Sequence, residues 1–355
     1  MAAARKTPRK LEAMEARSVD EIPKGSEWQY EPKWDGFRCL IERKNDSITM
    51  TSKSGQDLTR YFPEVVDAAR AIEEASFILD GEIVVPLGRT LSFDALLQRI
   101  HPASSRVRRL AAETPALFLT FDLLRQDSED LSEQPLTKRR PALEALFKRA
   151  IRSGKTFRLS PMSTRLSDAR RWLTSAGGGS DGVIAKRADM PYQAGNREGM
   201  QKIKRYRTAD CVIGGFRYAE RKQAGKAVVG SVLLGLYDDE GQLHHIGFSS
   251  AIKADERPAL TKKLEAIETD RSFTGNTPGG PSRWSTKRSA QWQPVKPKFV
   301  VEVSYDHFTG GRFRHGTAIQ RWRPDKKPSQ CTMEQLKQKS VSLAKLLRGA
   351  PERGK

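Results

Sequence analysis

The chain has 355 residues, with 63 basic and 43 acidic side chains and a formal net charge of +20. A hydrophobic content of 37% and a charged content of 30% describe a folded protein with room for two domains; no run is long and apolar enough to span a membrane, and the short basic N-terminus lacks the apolar core of a secretory signal. Such an excess of positive charge implies a polyanionic partner, nucleic acid before an anionic membrane. The three cysteines, Cys39, Cys211 and Cys331, are too isolated for a disulfide framework or a zinc knuckle.

In chain order, residues 1–25 read as a flexible tail and Phe37–Arg43 with Ser47–Ser52 as a β-hairpin. Ser52-Lys53-Ser54-Gly55 makes a basic turn, and residues 62–74 carry the apolar spacing of a helix. A buried strand over 77–85 is interrupted by Asp80-Gly81-Glu82, acidic residues that cost free energy in such a strand unless paired or used. Ser92 can cap a helix, and a strand over 116–124 carries Phe121-Asp122. Helices over 138–152 and 168–175, the second capped by Ser167, flank a strand at 157–160. Asp181-Gly182-Val183-Ile184-Ala185-Lys186 enters another apolar strand through an acid. In Met200–Lys204 the alternation points Lys202 and Lys204 to one side, as a solvated edge or a phosphate clamp. From about residue 208 strands dominate, with one helix over 254–268, which predicts a small OB-like barrel. Gly275–Gln293 reads as a long basic loop bearing Trp284 and Trp292, and Arg321-x-Arg323-Pro324-Asp325-Lys326 ends an aromatic-interleaved basic stripe.

One stretch organises the rest. Glu31-Pro32-Lys33-Trp34-Asp35-Gly36-Phe37-Arg38 has the form K-x-D-G-x-R. Lysine is a nucleophile only when neutral, and desolvation by Trp34 and Phe37 is one route to that state. The ordered set of Lys33–Arg38, Ser52–Gly55, Asp80–Glu82, Phe121-Asp122, Asp181–Lys186, Lys202-x-Lys204 and Arg321–Lys326 resembles the covalent nucleotidyltransferases, most closely ATP-dependent DNA ligases of the short bacterial C type. The resemblance spans about residues 28–335, and it implies a stronger route to a neutral Lys33 through Lys202 and Lys204 together with a bound metal.

That resemblance implies an α+β architecture: an adenylation domain of antiparallel sheets and flanking helices over 26–207, an OB-fold β-barrel over 208–340, and a basic tail over 341–355. It implies nick sealing, in a DNA-repair setting, through AMP carried on Lys33, with ATP and Mg²⁺ or Mn²⁺ as cofactors. Glu31, Arg38, Lys53, Glu82, Phe121, Lys202 and Lys204 match nucleotide-binding positions; Glu82 and Asp181 match metal-binding ones; Arg321, Arg323 and Lys326 match those that orient pyrophosphate. Two departures stand out: Asp181 replaces the usual Glu, and Lys53 replaces the usual Arg, which removes a bidentate fork. The expected partner is nicked double-stranded DNA, with other repair proteins, for a cytoplasmic, nucleoid-associated monomer away from membranes. RNA ligation or mRNA capping remains an alternative, as does a non-catalytic basic DNA-binding module.

Overall fold

The computed structural model describes residues 12–151, 155–176, 179–221, 223–279, 291–337 and 342–347. The expectations for the first residues, for Trp284 and for the end of the tail lie outside them. The chain divides into two compact units: Met1–Arg205 with Lys339–Lys355, and Tyr206–Gln338.

The first unit is built on two sheets. A six-stranded sheet runs in the order Phe157–Leu159, Leu117–Gln126, Ser76–Val84, Phe37–Lys44, Ser47–Ser52, with Glu129–Asp130 added beside Leu117–Gln126. All its pairings are antiparallel except Phe157–Leu159 on Leu117–Gln126. Its core face packs Ile41, Leu79, Phe118 and Leu123 with Val65 of helix Pro63–Arg70 and Leu143 of helix Leu136–Arg149. A four-stranded sheet runs Arg17–Ser18, Met200–Lys204, Ser180–Arg187, Trp28–Trp34. Alternation decides which side chains it buries: Trp28, Tyr30 and Trp34 join Val183, Ala185 and Ile203 in a core closed by Trp172 of helix Leu166–Thr174.

Several expectations are corrected. Residues 12–25 are held rather than loose: Ala13 and Met14 are buried, and Arg17–Ser18 pairs in parallel with Gln201–Lys202. The start of the expected tail is held as well. Helix Leu343–Leu347 buries Leu346 among Trp28, Trp34 and Trp172, because its apolar residues have a hydrophobic face to cover. Ser92 does cap its helix, accepting from the Ala95 amide at 3.1 Å. Ser167 does not cap helix Leu166–Thr174. There the N-cap is Arg165, and buried Asp168 ties the first turn through Ser163, Arg165 and Arg171. Helix Ser104–Glu113 has no counterpart in the sequence reading; its run of basic residues hides a single buried apolar position, Val107.

The second unit is an antiparallel sheet in the order Leu243–Ser249, Val229–Tyr237, Arg207–Tyr218, Val300–Tyr305, Ala318–Trp322, with helix Arg257–Glu265 packed through Leu260 and Leu264. This is the OB-type domain. Trp292, at the end of the expected basic loop, packs on Phe273 with ring centroids 5.5 Å apart.

Candidate active site

The site grows from the strand Trp28–Trp34. Its core-facing residues are aromatic, so Gln29, Glu31 and Lys33 are delivered together to the other face. Trp34 therefore points away from Lys33, with its indole nitrogen donating to Ser160 at 2.9 Å, and Phe37 stacks edge-on against Phe93. Both rings thus have partners other than Lys33, although Trp34 still lines the same cavity as the lysine. The chain then passes into the other sheet at Asp35–Gly36. A Cβ on Gly36 would lie 2.2 Å from the Ile83 carbonyl oxygen, so only glycine permits this crossing. The crossing sets Arg38 opposite Glu82.

A second glycine seats the acid. Between Ser180 and Gly182 the register against Trp28–Trp34 shifts by a bulge. Gly182 lies opposite Lys33 on one side and Lys204 on the other, and a Cβ there would be 1.9 Å from the Ile203 carbonyl oxygen. Asp181, in the bulge, is buried and holds Lys33 Nζ at 2.7 Å from Oδ1 and 2.9 Å from Oδ2. Lys204 Nζ stands 3.8 Å from the same carboxylate.

Glu31, Lys33, Arg38, Lys53, Glu82, Phe121 and Lys202 line one cavity of about 210 Å³. Residues more than 160 positions apart thus meet; Asp181 joins them through its contact with Lys33, and Lys204 through its approach to Asp181. Burial, with the charges of Lys33, Lys53 and Lys204, lowers the Lys202 ammonium below its ordinary value. Cations crowded in this way await an anion with several oxygens. Burial pushes the Glu82 carboxyl from 4.5 up to about 8, against the opposing pull of Arg38 and Lys33. Carboxylates of this kind suit a hard divalent cation, whose charge would ionise Glu82. A wider groove of about 900 Å³ shares Glu15, Arg38, Lys53 and Glu82 and continues along Ser52–Gln56.

The Phe121 ring has two cations against it, the Arg38 guanidinium carbon 4.4 Å and Lys186 Nζ 4.3 Å from its centroid. Such a ring can stack a heteroaromatic base. Arg38 is itself gripped by Asp80, at 2.5 Å and 2.6 Å. Tyr192 donates to the same carboxylate at 2.6 Å and accepts from the Met14 amide at 2.8 Å. The acid in the apolar strand is thus paired. Glu31 is held on both oxygens, by Gln29 and by Lys186, each at 2.9 Å.

Asp80 and Lys186 lie inside the quoted motifs, but their partners, Arg38 and Tyr192 for Asp80 and Glu31 for Lys186, show only in the fold. Tyr192 and Glu15, which lines the cavity and pairs with Lys53 at 3.4 Å, carry no local signal and needed the fold. The remaining expected residues, Arg321, Arg323 and Lys326, belong to the second unit. Arg321 pairs with Glu302 at 2.5 Å, and Arg323 and Lys326 converge on Asp210 at 2.9 Å and 2.7 Å.

Residues 10–204 match the ATP dependent DNA ligase domain and residues 225–326 the ATP dependent DNA ligase C terminal region. The chain is 42% identical over 338 residues to DNA ligase C2 of Mycolicibacterium smegmatis, covering 91% of this chain and 93% of that one. It is 32% identical over 314 residues to the multifunctional non-homologous end joining DNA repair protein LigD of Mycobacterium tuberculosis, covering 88% of this chain and 38% of that longer protein. A solved Lig E DNA ligase superposes with a TM-score of 0.51 over 88% of this chain and 99% of that one, at 16% identity, a likeness of fold. The chain belongs to the ATP-dependent DNA ligases.

Proposed function

We propose that the protein seals nicks in duplex DNA with ATP, carrying AMP on Lys33. The observation that carries this reading is Lys33 Nζ, gripped by Asp181, in the wall of a cavity that also holds Phe121 and Lys202. In the first step Nζ loses a proton to solvent and attacks the α-phosphorus. A nitrogen–phosphorus bond forms, the bond from that phosphorus to the bridging oxygen breaks, and pyrophosphate leaves with the electron pair. The AMP then passes to the 5′-phosphate at a nick, and the 3′-hydroxyl displaces it to close the phosphodiester.

Each side chain has a task in this scheme. Phe121 stacks the adenine and Glu31 stands at its edge. Arg38 and Lys53 face ribose and phosphates. Lys202 and Lys204 neutralise the α-phosphate. Asp181 holds the Lys33 amine until ATP arrives, and Lys204 is positioned to keep that carboxylate when Lys33 lets go. Arg321, Arg323 and Lys326 act on the departing pyrophosphate. Glu82 and Asp181 would hold a divalent cation, Mg²⁺ or Mn²⁺; when bound, it supplies positive charge to the reacting phosphates. The charge of +20 supports a duplex-DNA partner gripped through its phosphates, and the likeness to a repair protein supports a repair setting. We further propose a cytoplasmic monomer that works at the nucleoid.

End-point sealing of a nicked duplex with ATP, GTP or NAD⁺ tests the reading. Sealing with ATP alone is the expected result. Labelling by GTP without sealing would transfer the protein to capping chemistry, and sealing of nicked RNA in preference to DNA would make it an RNA ligase.

A further inference from the structure

In the second unit, one carboxylate organises two of the cations assigned above to pyrophosphate. Asp210, on strand Arg207–Tyr218, has a side chain only 12% exposed. It accepts from Arg323 Nη1 at 2.9 Å and 3.0 Å, and from Lys326 Nζ at 2.7 Å. The carboxylate is itself fixed from behind. The Gln335 side-chain amide accepts from the Asp210 backbone N–H at 2.9 Å and donates to the Asp210 carbonyl at 3.1 Å, so it brackets the peptide like a neighbouring strand. The opposite edge of Arg323, Nε and Nη2, meets Asp325, which is 61% exposed.

The two carboxylates differ physically. Asp325 stands in water, and its pairing is screened and readily exchanged. Asp210 is shielded and rigid, and its two charge-assisted contacts fix the separation and direction of Arg323 and Lys326. Without Asp210, two long side chains with like charges would repel and disperse, and ordering them on an anion would cost side-chain entropy. We infer that Asp210 is a positioning residue that presents Arg323 and Lys326 as a preformed clamp for pyrophosphate, with Gln335 holding Asp210 in place. This inference rests on the pyrophosphate role proposed for Arg323 and Lys326.

The test uses the full chain with the substitutions Asp210→Asn, Asp210→Glu and Arg323→Ala. Three quantities are measured: the rate of Lys33–AMP formation from ATP, the pyrophosphate concentration that half-saturates the reverse reaction of the AMP-loaded enzyme, and sealing of a nick already carrying AMP on its 5′-phosphate. Asp210→Asn should slow Lys33–AMP formation about tenfold or more and raise the half-saturating pyrophosphate by a similar factor. This corresponds to the loss of one charge-assisted contact. Sealing of the pre-adenylated nick should stay within about twofold, because no pyrophosphate takes part in that step, and Asp210→Glu should recover part of the pyrophosphate response. Equal losses in all three measurements would reduce Asp210 to a structural role, and an unchanged pyrophosphate response would remove it from the clamp. If Arg323→Ala also leaves that response unchanged, the proposed pyrophosphate role itself fails. If Arg323→Ala alters it and Asp210→Asn does not, only the present inference fails.

Discussion

Glu82 shows how one side chain in the wall of the cavity links chemistry to stability. Burial raises its carboxyl from 4.5 to about 8, so the folded protein holds this proton more tightly than the unfolded chain does. The corresponding stability is complete below pH 4.5 and is lost as the pH rises through about 8. Glu82→Gln has no such proton to lose. Its melting temperature relative to the parent should therefore climb between about pH 5 and 8 and level off above. Thermal unfolding across this range, without nucleotide or metal, checks the sign; a gap independent of pH would show that the carboxyl is already ionised. The carboxyl's position was legible in Asp80-Gly81-Glu82, because acids inside an apolar strand demand an explanation. Its state was not, since it depends first on the burial that the fold creates and then on Arg38 and Lys33, which pull against it from two other strands. Lys33 was legible through the K-x-D-G-x-R form that it opens, but its partner was not. The sequence pointed to Lys202 and Lys204 as its neighbours, whereas the nearest charge is the Asp181 carboxylate at 2.7 Å.

At the scale of elements, two glycines decide whether the strands can meet. The strand Ser180–Arg187 brings Asp181 to Lys33 only because the backbones of Gly182 and Ile203 come too close for any side chain. Gly182→Ala should force the Met200–Lys204 strand outward, with a stability loss of about 1–3 kcal/mol from overpacking and a marked loss of adenylation. Gly316, where a Cβ would meet nothing within 4 Å, is the control, and its alanine variant should change stability by less than about 0.5 kcal/mol. Urea unfolding of the two variants measures the difference; equal stabilities would mean that the strands adjust freely. Elements such as helix Pro63–Arg70 and strand Ser47–Ser52 followed from periodicity because each shows a contrast between a core face and a solvent face, which helix Ser104–Glu113, with one buried residue, lacks. Pairing order did not. The sequence carries no mark that Arg17–Ser18 closes one sheet edge, or that Leu343–Leu347 returns to the aromatic core around Trp172. These short segments are fixed by what they cover rather than by their own propensity.

For the whole molecule, an excess of 20 positive charges accompanies a candidate site that itself crowds cations. The first unit contains Lys33, Asp181 and Phe121, while the second carries the Asp210-anchored cations, so the function proposed above divides the chemistry of AMP transfer along the chain. The central claim is that Lys33 alone carries the AMP, while the rest of the molecule can complete the later chemistry without it. Lys33→Ala tests this in two arms: incubation with α-labelled ATP and a divalent metal, then sealing of a nick supplied with AMP already on its 5′-phosphate. The account predicts no covalent label on the variant, strong labelling of the parent, and sealing of the pre-adenylated nick by both. A Lys33→Ala protein that still took up covalent label from ATP would contradict it.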